Sequence, residues 1–445
     1  MHRTMPKIIR KTMRKTINIA LITLLAGFTG VSFAEAESKE QVADKYNVEL
    51  PGKHELAFRS RYQSTHDDWW QDANAFTTRV KLTSSFTLDD NEQWQLLLQP
   101  NYVFVHNDNY NSISQFNRKS VIPDTQGGSL SQGYLAFSSN NNWQIKAGRQ
   151  SLSYDNERMV GALEYWQTPQ SFDAISAQYN DQMNWHIQYA YVDKVQRIFG
   201  RHADKELPAD DPRNGYLTNR PTSEWGEHQL KGHFINMGYK TENNWQLVVY
   251  NYLIDNRDQA SFSSNTVGIR IADEFKPNSI KYRYNAEFAW QEDAYNNTDN
   301  YQAWYNLVAA SIQYKSHIFQ LSQETFSQDQ GIGFKSSLGT NHKFQGWADV
   351  FTSYSGQKGL RDTFFTYRGR HKKLRWRFVY HDFNTYGTGQ EIGYEFDFEL
   401  AYRLTRKWQI KAVYADYRSK DTWTAEYLAA NFDLSTWFIS VSYNI

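Results

Sequence analysis

Apolar and polar residues alternate with a period of two along most of the chain, as in an extended strand that shows its two faces to different surroundings. In Leu374-Arg375-Trp376-Arg377-Phe378-Val379-Tyr380 the even positions are apolar and two of the odd ones are Arg. Ile280-Lys281-Tyr282-Arg283-Tyr284-Asn285-Ala286-Glu287-Phe288 and Ile392-Gly393-Tyr394-Glu395-Phe396-Asp397-Phe398-Glu399-Leu400 repeat the pattern. The apolar face is rich in Tyr, Trp and Phe, and the other face is heavily charged. A soluble sandwich would bury aliphatic side chains beneath a second sheet. Lipid outside and water inside account for both faces.

The breaks in the pattern alternate in length, as the short periplasmic turns and long external loops of outer-membrane barrels do. Short polar turns are expected near 89–93, 139–142, 180–183, 241–244, 273–279, 315–316, 371–372 and 404–407. Longer connections are expected near 63–73, 107–129, 153–170, 194–227, 255–261, 292–301, 328–360, 384–390 and 419–424. The fold class this predicts is all-β: a transmembrane antiparallel up-and-down β-barrel of about 18 strands with both termini periplasmic, 16 strands being the nearest alternative. Trp94, Trp143, Trp185, Trp245 and Trp408 each follow a short turn directly, which suits a girdle of indoles at one membrane–water interface. Trp437, Ile439, Val441, Tyr443 and Ile445 alternate to the last residue, although the chain closes on Ile where barrel proteins often close on an aromatic.

Composition adds limits. Mean hydropathy is −0.73, yet 16% of residues are aromatic, which separates the chain from disordered polypeptides. Nine prolines leave long strands unbroken, and the absence of cysteine rules out disulfides, zinc–thiolate sites and thiol nucleophiles. Arg3, Lys7, Arg10, Lys11, Arg14 and Lys15 precede the apolar run Ile17 to Phe33, the form of a secretory signal over 1–34 with cleavage after 34 or 36. A short periplasmic segment, 35–52, and a barrel over 53–445 follow, leaving no room for a plug domain ahead of the barrel. The whole chain balances 48 cations against 48 anions, so losing the leader leaves a net charge near −6. The expected location is the bacterial outer membrane, in contact with its lipid and lipopolysaccharide.

Strand parity selects the lumen residues. With Leu56, Phe58 and Tyr62 toward lipid, Arg59 and Arg61 point inward; with Phe76, Val80 and Leu82 outward, Arg79 and Lys81 join them. Arg368, Arg370, Arg375 and Arg377 flank a short turn, and Lys281 with Arg283 forms a third patch near the same end. A ring of cations in a pore favours anions, and Arg adds bidentate recognition of carboxylate. The plainer reading pairs these cations with lumen acids such as Glu287, Glu395, Asp397 and Glu399. The glycine-rich connection 328–360 is the candidate gate, with an ordinary surface loop as the alternative. No nucleophile–base motif accompanies the scattered Ser and His, so an enzyme is not expected. Glu395, Asp397 and Glu399 could hold a divalent ion but suit a wet lumen better. No metal, cofactor or nucleic acid is expected.

The run Gly148-Arg149-Gln150-Ser151-Leu152-Ser153-Tyr154-Asp155-Asn156-Glu157-Arg158-Met159-Val160-Gly161, followed by Tyr165-Trp166-Gln167-Thr168 and Ser171-Phe172-Asp173, resembles the alginate-export family of outer-membrane barrels. Leu338-Gly339-Thr340-Asn341-His342-Lys343-Phe344-Gln345-Gly346-Trp347-Ala348-Asp349 is a second similar stretch. The resemblance implies an 18-stranded barrel with an arginine-rich constriction and loop gates. It also implies constriction roles for Arg149 and Arg158, with Asp155 and Asp173 as balancing acids. With Trp143, Ile145 and Ala147 toward lipid, Arg149 also points outward unless a bulge at Gly148 turns it in. The function expected on this basis is a channel for an anionic polysaccharide such as alginate or its oligomers. The alternative is a general or nutrient-uptake porin for small anionic solutes. Any periplasmic export or uptake partner would be a separate protein.

Overall fold

The computed structural model describes residues 52–445 apart from 182–183, 204, 208, 210, 216, 352–358 and 421–430. The leader expected over 1–34 and nearly all of the segment 35–52 lie outside the described residues, as does the 352–358 part of the expected gate.

The alternating segments form strands in chain order: β1 (Lys53–Asp67), β2 (Ala73–Thr87), β3 (Trp94–Val105), β4 (Gly127–Ser138), β5 (Trp143–Gln150), β6 (Ser171–Asn180) and β7 (Trp185–Gln196). They continue as β8 (Glu227–Lys240), β9 (Gln246–Asn256), β10 (Ser264–Phe275), β11 (Ile280–Asp293), β12 (Gln302–Tyr314) and β13 (His317–Phe326). Two short strands, β14 (Gln328–Asp329) and β15 (Ile332–Gly333), make a separate hairpin. The wall resumes with β16 (Leu360–His371), β17 (Leu374–Thr385), β18 (Glu391–Arg403), β19 (Trp408–Ser419) and β20 (Leu434–Asn444).

Each wall strand pairs antiparallel with the next, β13 with β16 across the insertion, and the whole is one 18-stranded sheet. Closure comes from β1 against β20, in register from Ala57↔Asn444 to Asp67↔Leu434. A closed barrel satisfies every wall strand's backbone groups within the sheet, as lipid demands of any strand that crosses it. The terminal Ile445 exchanges backbone hydrogen bonds with Leu56 and packs beside Leu56 and Leu82, so a non-aromatic end is accommodated at the seam.

The outer surface carries the apolar set: Phe76, Val267, Phe288, Val308, Leu321, Phe398 and Ile439 are all exposed. At the short-turn rim, four of the five girdle indoles lie against an aromatic directly across the ladder. Trp94 meets Phe137, Trp143 meets Tyr179, Trp185 meets Tyr239 and Trp408 meets Tyr443, with centroids 4.3–5.2 Å apart. Such cross-strand pairs stabilise the sheet where hairpins turn. An apolar band on a closed barrel of this kind places the protein in a bacterial outer membrane.

The lumen is not empty. Apolar side chains of β6–β9, β11–β13 and β16–β20 pack with two inserted loops, here loop A (151–170) and loop B (327–351), into one buried cluster that includes Tyr154, Phe172, Phe234, Phe334 and Trp347.

Candidate functional site

Two basic walls face the lumen from different parts of the sheet. On β1 and β2, Arg59 lies directly opposite Arg79 in the ladder. On β16 and β17, Arg368 lies opposite Arg377 and Arg370 opposite Arg375. Like charges across a ladder oppose pairing, so each arrangement needs something to meet it.

On the β1–β2 wall, loop A meets it. The Arg59 side chain donates to the Gln167 Oε1 at 2.8 Å, to the Glu164 carbonyl at 2.9 Å and to the Trp166 carbonyl. Arg61 forms a buried ion pair with Asp124 at 2.5 Å and lies 5.2 Å from the Tyr165 ring centroid. Arg79 and Lys81 approach the half-exposed Glu164 at 3.6 and 3.7 Å. Gln167, fully buried, donates to Thr77 Oγ1 and to the Arg59 carbonyl, while its own N–H reaches Asp124. Here the cations hold a loop.

The β16–β17 wall is open. Arg368, Arg370 and Arg375 are exposed near the short-turn rim, and Arg377 is half-buried higher up. Arg377 and Lys411 approach Glu399 from two strands, each at 3.5 Å. Lys281 and Arg283 share Glu274 in a similar way, Arg283 at 2.6 Å, with Arg283 also donating to Gln313 at 2.9 Å. One carboxylate between two cations leaves local positive charge in both places.

Loops A and B meet across the lumen. Val160 and Leu338 form a β-bridge, Gly161 N–H donates to the Leu338 carbonyl, and Thr340 N–H donates to the Glu157 carbonyl. Gly339 packs so tightly on the Arg158 carbonyl that a β-carbon would collide with it. Arg158 is fully buried at this crossing. Its guanidinium pairs with Glu324 of β13 at 2.8 Å and donates to the Thr340 carbonyl at 3.1 Å and the Asn341 Oδ1 at 2.7 Å. The Phe326 and Phe344 rings lie 4.5 and 5.2 Å from it. Arg158 thus lies where the two loops cross, a staple between loops and wall with no exposure to the lumen water. Asp155 also belongs to loop A, accepting from Asn236 of β8 at 2.6 Å. Burial pushes its carboxyl up from its ordinary value, and the hydrogen bond from Asn236 draws it partly back.

Arg149 departs from the constriction role. Gly148 has a positive φ of 125°, yet the register runs through it unshifted, with Gly133 and Asp173 flanking Arg149 on either side. Arg149 therefore keeps the parity of the exposed Leu135, Ile145 and Ile175 and faces outward. Asp173 faces outward beside it, accepting both guanidinium hydrogen bonds at 2.7 and 2.9 Å. The bulge comes one strand later, between Asp173 and Ala174 against β7, too late to turn Arg149 in.

Three functional residues escaped the sequence reading. Lys411 shares the parity of the buried Val413 and could have been found from it. Lys343 and Trp347 lie in loop B, where no periodicity announces orientation. Lys343 pairs with Glu157 at 3.3 Å across the gap between the loops. The Trp347 ring lies under Arg377, 4.3 Å from guanidinium carbon to centroid. Two chambers open at this level. One, about 140 Å³, is lined by residues including Asn285, Phe344, Phe364 and Arg368. The other, about 190 Å³, is lined by Tyr165, His342, Glu399 and Lys411 among others. Lys343, Trp347 and Arg377 line both. A larger cavity of about 380 Å³ lies toward the short-turn rim beside Arg270 and Arg283.

No protein-family model matches the chain, and no curated protein matches it in sequence. Solved structures match the fold over most of the chain. OccAB2 of Acinetobacter baumannii superposes with a TM-score of 0.65 at 14% identity, covering 88% of this chain and 97% of that one. OpdK of Pseudomonas aeruginosa, solved with vanillate, gives 0.62 at 14% identity over 88% and 98%. OpdQ of the same organism gives 0.61 at 13% identity over 89% and 99%. These neighbours are outer-membrane porins of the Occ/Opd group, and the likeness is one of barrel fold.

Proposed function

We propose that the chain is a passive outer-membrane channel, not an enzyme, that passes small anionic solutes, carboxylates above all. The observation that carries this reading is the open wall of β16 and β17, where two Arg–Arg pairs lie directly across the ladder and face lumen water. Such a wall is maintained against its own repulsion, and an anion passing it relieves that repulsion. Guanidinium forks suit carboxylates in particular. The structural neighbour solved with vanillate, a small carboxylate, supports the same class of solute.

An anionic polysaccharide such as alginate is the less favoured reading. It would meet the same cations, but the structural neighbour solved with a ligand holds a small carboxylate.

The test is the reversal potential of the refolded barrel in a planar bilayer across a salt gradient. An anion preference is expected, reduced strongly in the triple variant Arg368→Gln, Arg370→Gln, Arg375→Gln. A wild-type channel that favours cations or does not discriminate sinks the proposal. Current block by oligouronates at low concentration, with no block by monomeric carboxylates, would move the reading to the polysaccharide.

A further inference from the structure

We propose that Trp347 is a specificity-determining residue of this channel, a partition that splits the constriction into two lanes and sets the largest carboxylate that passes. The inference rests on the reading of the lumen as an anion path and adds to it the element that sorts anions by size.

Loop B brings Trp347 to this place through its backbone. Trp347 N–H points to the Asp397 Oδ1 at 3.4 Å, and the next N–H, of Ala348, donates to the Glu395 Oε1 at 2.8 Å. Both carboxylates belong to β18 and are buried, so they fix the loop to the wall. Gly346 comes just before, with a φ of 86°, and lies flat on the Glu395 carboxylate where no side chain would fit. From that docking point the indole extends to the Arg377 guanidinium, and cation–π contact ties loop to wall a second time.

The two chambers meet at this tie. One runs along β11–β17 toward Arg368 and the amides of Asn285 and Gln320. The other runs along β18–β20 toward Lys411. Their shared lining is Trp347, Arg377 and Lys343, so the indole, only 4% exposed and held by the Arg377 contact, is the wall that keeps the two chambers apart. Charge selection belongs to Arg377 and its neighbours, and the size limit belongs to Trp347.

The experiment compares wild type, Trp347→Ala and Trp347→Phe, each shown to be a folded barrel by its heat-dependent gel mobility. Permeability ratios of gluconate to acetate are read from reversal potentials, together with the anion-to-cation ratio in potassium chloride. In Trp347→Ala the gluconate-to-acetate ratio is expected to rise roughly tenfold while anion preference persists, and Trp347→Phe should fall between. An unchanged gluconate-to-acetate ratio in Trp347→Ala overturns the partition. So does a loss of anion preference in that variant, which would mean that the loop had left the lumen. A wild type without anion preference defeats the anion channel itself, and the size ratios of the three proteins still decide the role of Trp347.

Discussion

The wall of β1 and β2 and the wall of β16 and β17 are built by the same device, arginines set opposite each other across a ladder and turned inward. They end in opposite conditions. The first is covered by loop A, its guanidinium groups spent on the Glu164 and Trp166 carbonyls, on Gln167, and on Asp124 of the connection between β3 and β4. The second stands open, with Glu399 as a partial counterweight at its upper end. A row of lumen arginines is therefore not by itself a conduction path. What decides is whether a loop supplies acceptors for them. One wall has become scaffold for the loops, and the other is the one that the proposed anion path would follow.

The contrast can be broken from the scaffold side first. Arg158→Ala leaves Glu324 buried without its partner, a change expected to cost about 3–5 kcal/mol. Thermal melts should shift downward, and single-channel records should show larger, noisier conductance as loops A and B separate; a quiet, unchanged channel would mean that Arg158 is not the staple. Arg59→Ala follows, with about 1–3 kcal/mol expected from the loss of hydrogen bonds by a charged group to loop A. Its signature is lower stability with anion preference largely kept, because this wall is covered. On the open wall the triple Gln variant of Arg368, Arg370 and Arg375 should do the reverse, abolishing most of the anion preference while the melting temperature holds or rises as the repulsion is removed. If both sets of changes altered selectivity alike, the division between the walls would fail. The smallest effect on conduction belongs to Arg149→Ala, with reversal potentials the same as in wild type; altered selectivity there would contradict its outward placement.

The strands, their eighteen-fold count and the alternation of short and long connections were all legible because each follows from the period-2 pattern and the polar breaks between its runs. Parity also placed Arg59, Arg61, Arg79, Lys81, Arg368 and Arg377 inside, and it placed Arg149 outside against the role implied by resemblance. What the pattern lacks is any trace of which loop returns to which wall. Gln167 reaches Thr77 across 90 positions, and Arg158 reaches Glu324 across 166. Such contacts depend on the closed ring bringing distant strands opposite each other, and no local periodicity carries that information. Lys343 and Trp347 were missed for the same reason, since loop residues have no face until something docks them. Glycines gave the one usable hint, because Gly339 and Gly346 sit where loop B touches a backbone carbonyl and a carboxylate.

The β-bridge between Val160 and Leu338 ties together loops rooted on β5–β6 and on β13–β16, well apart around the ring. In mechanical terms it is a strut across a thin-walled tube. A plain cylinder resists crushing only through the stiffness of its wall. With the strut in place, squeezing the barrel loads a hydrogen-bonded crosspiece and the Arg158–Glu324 anchor at its side. The loop crossing that narrows the lumen thus also braces the wall from inside.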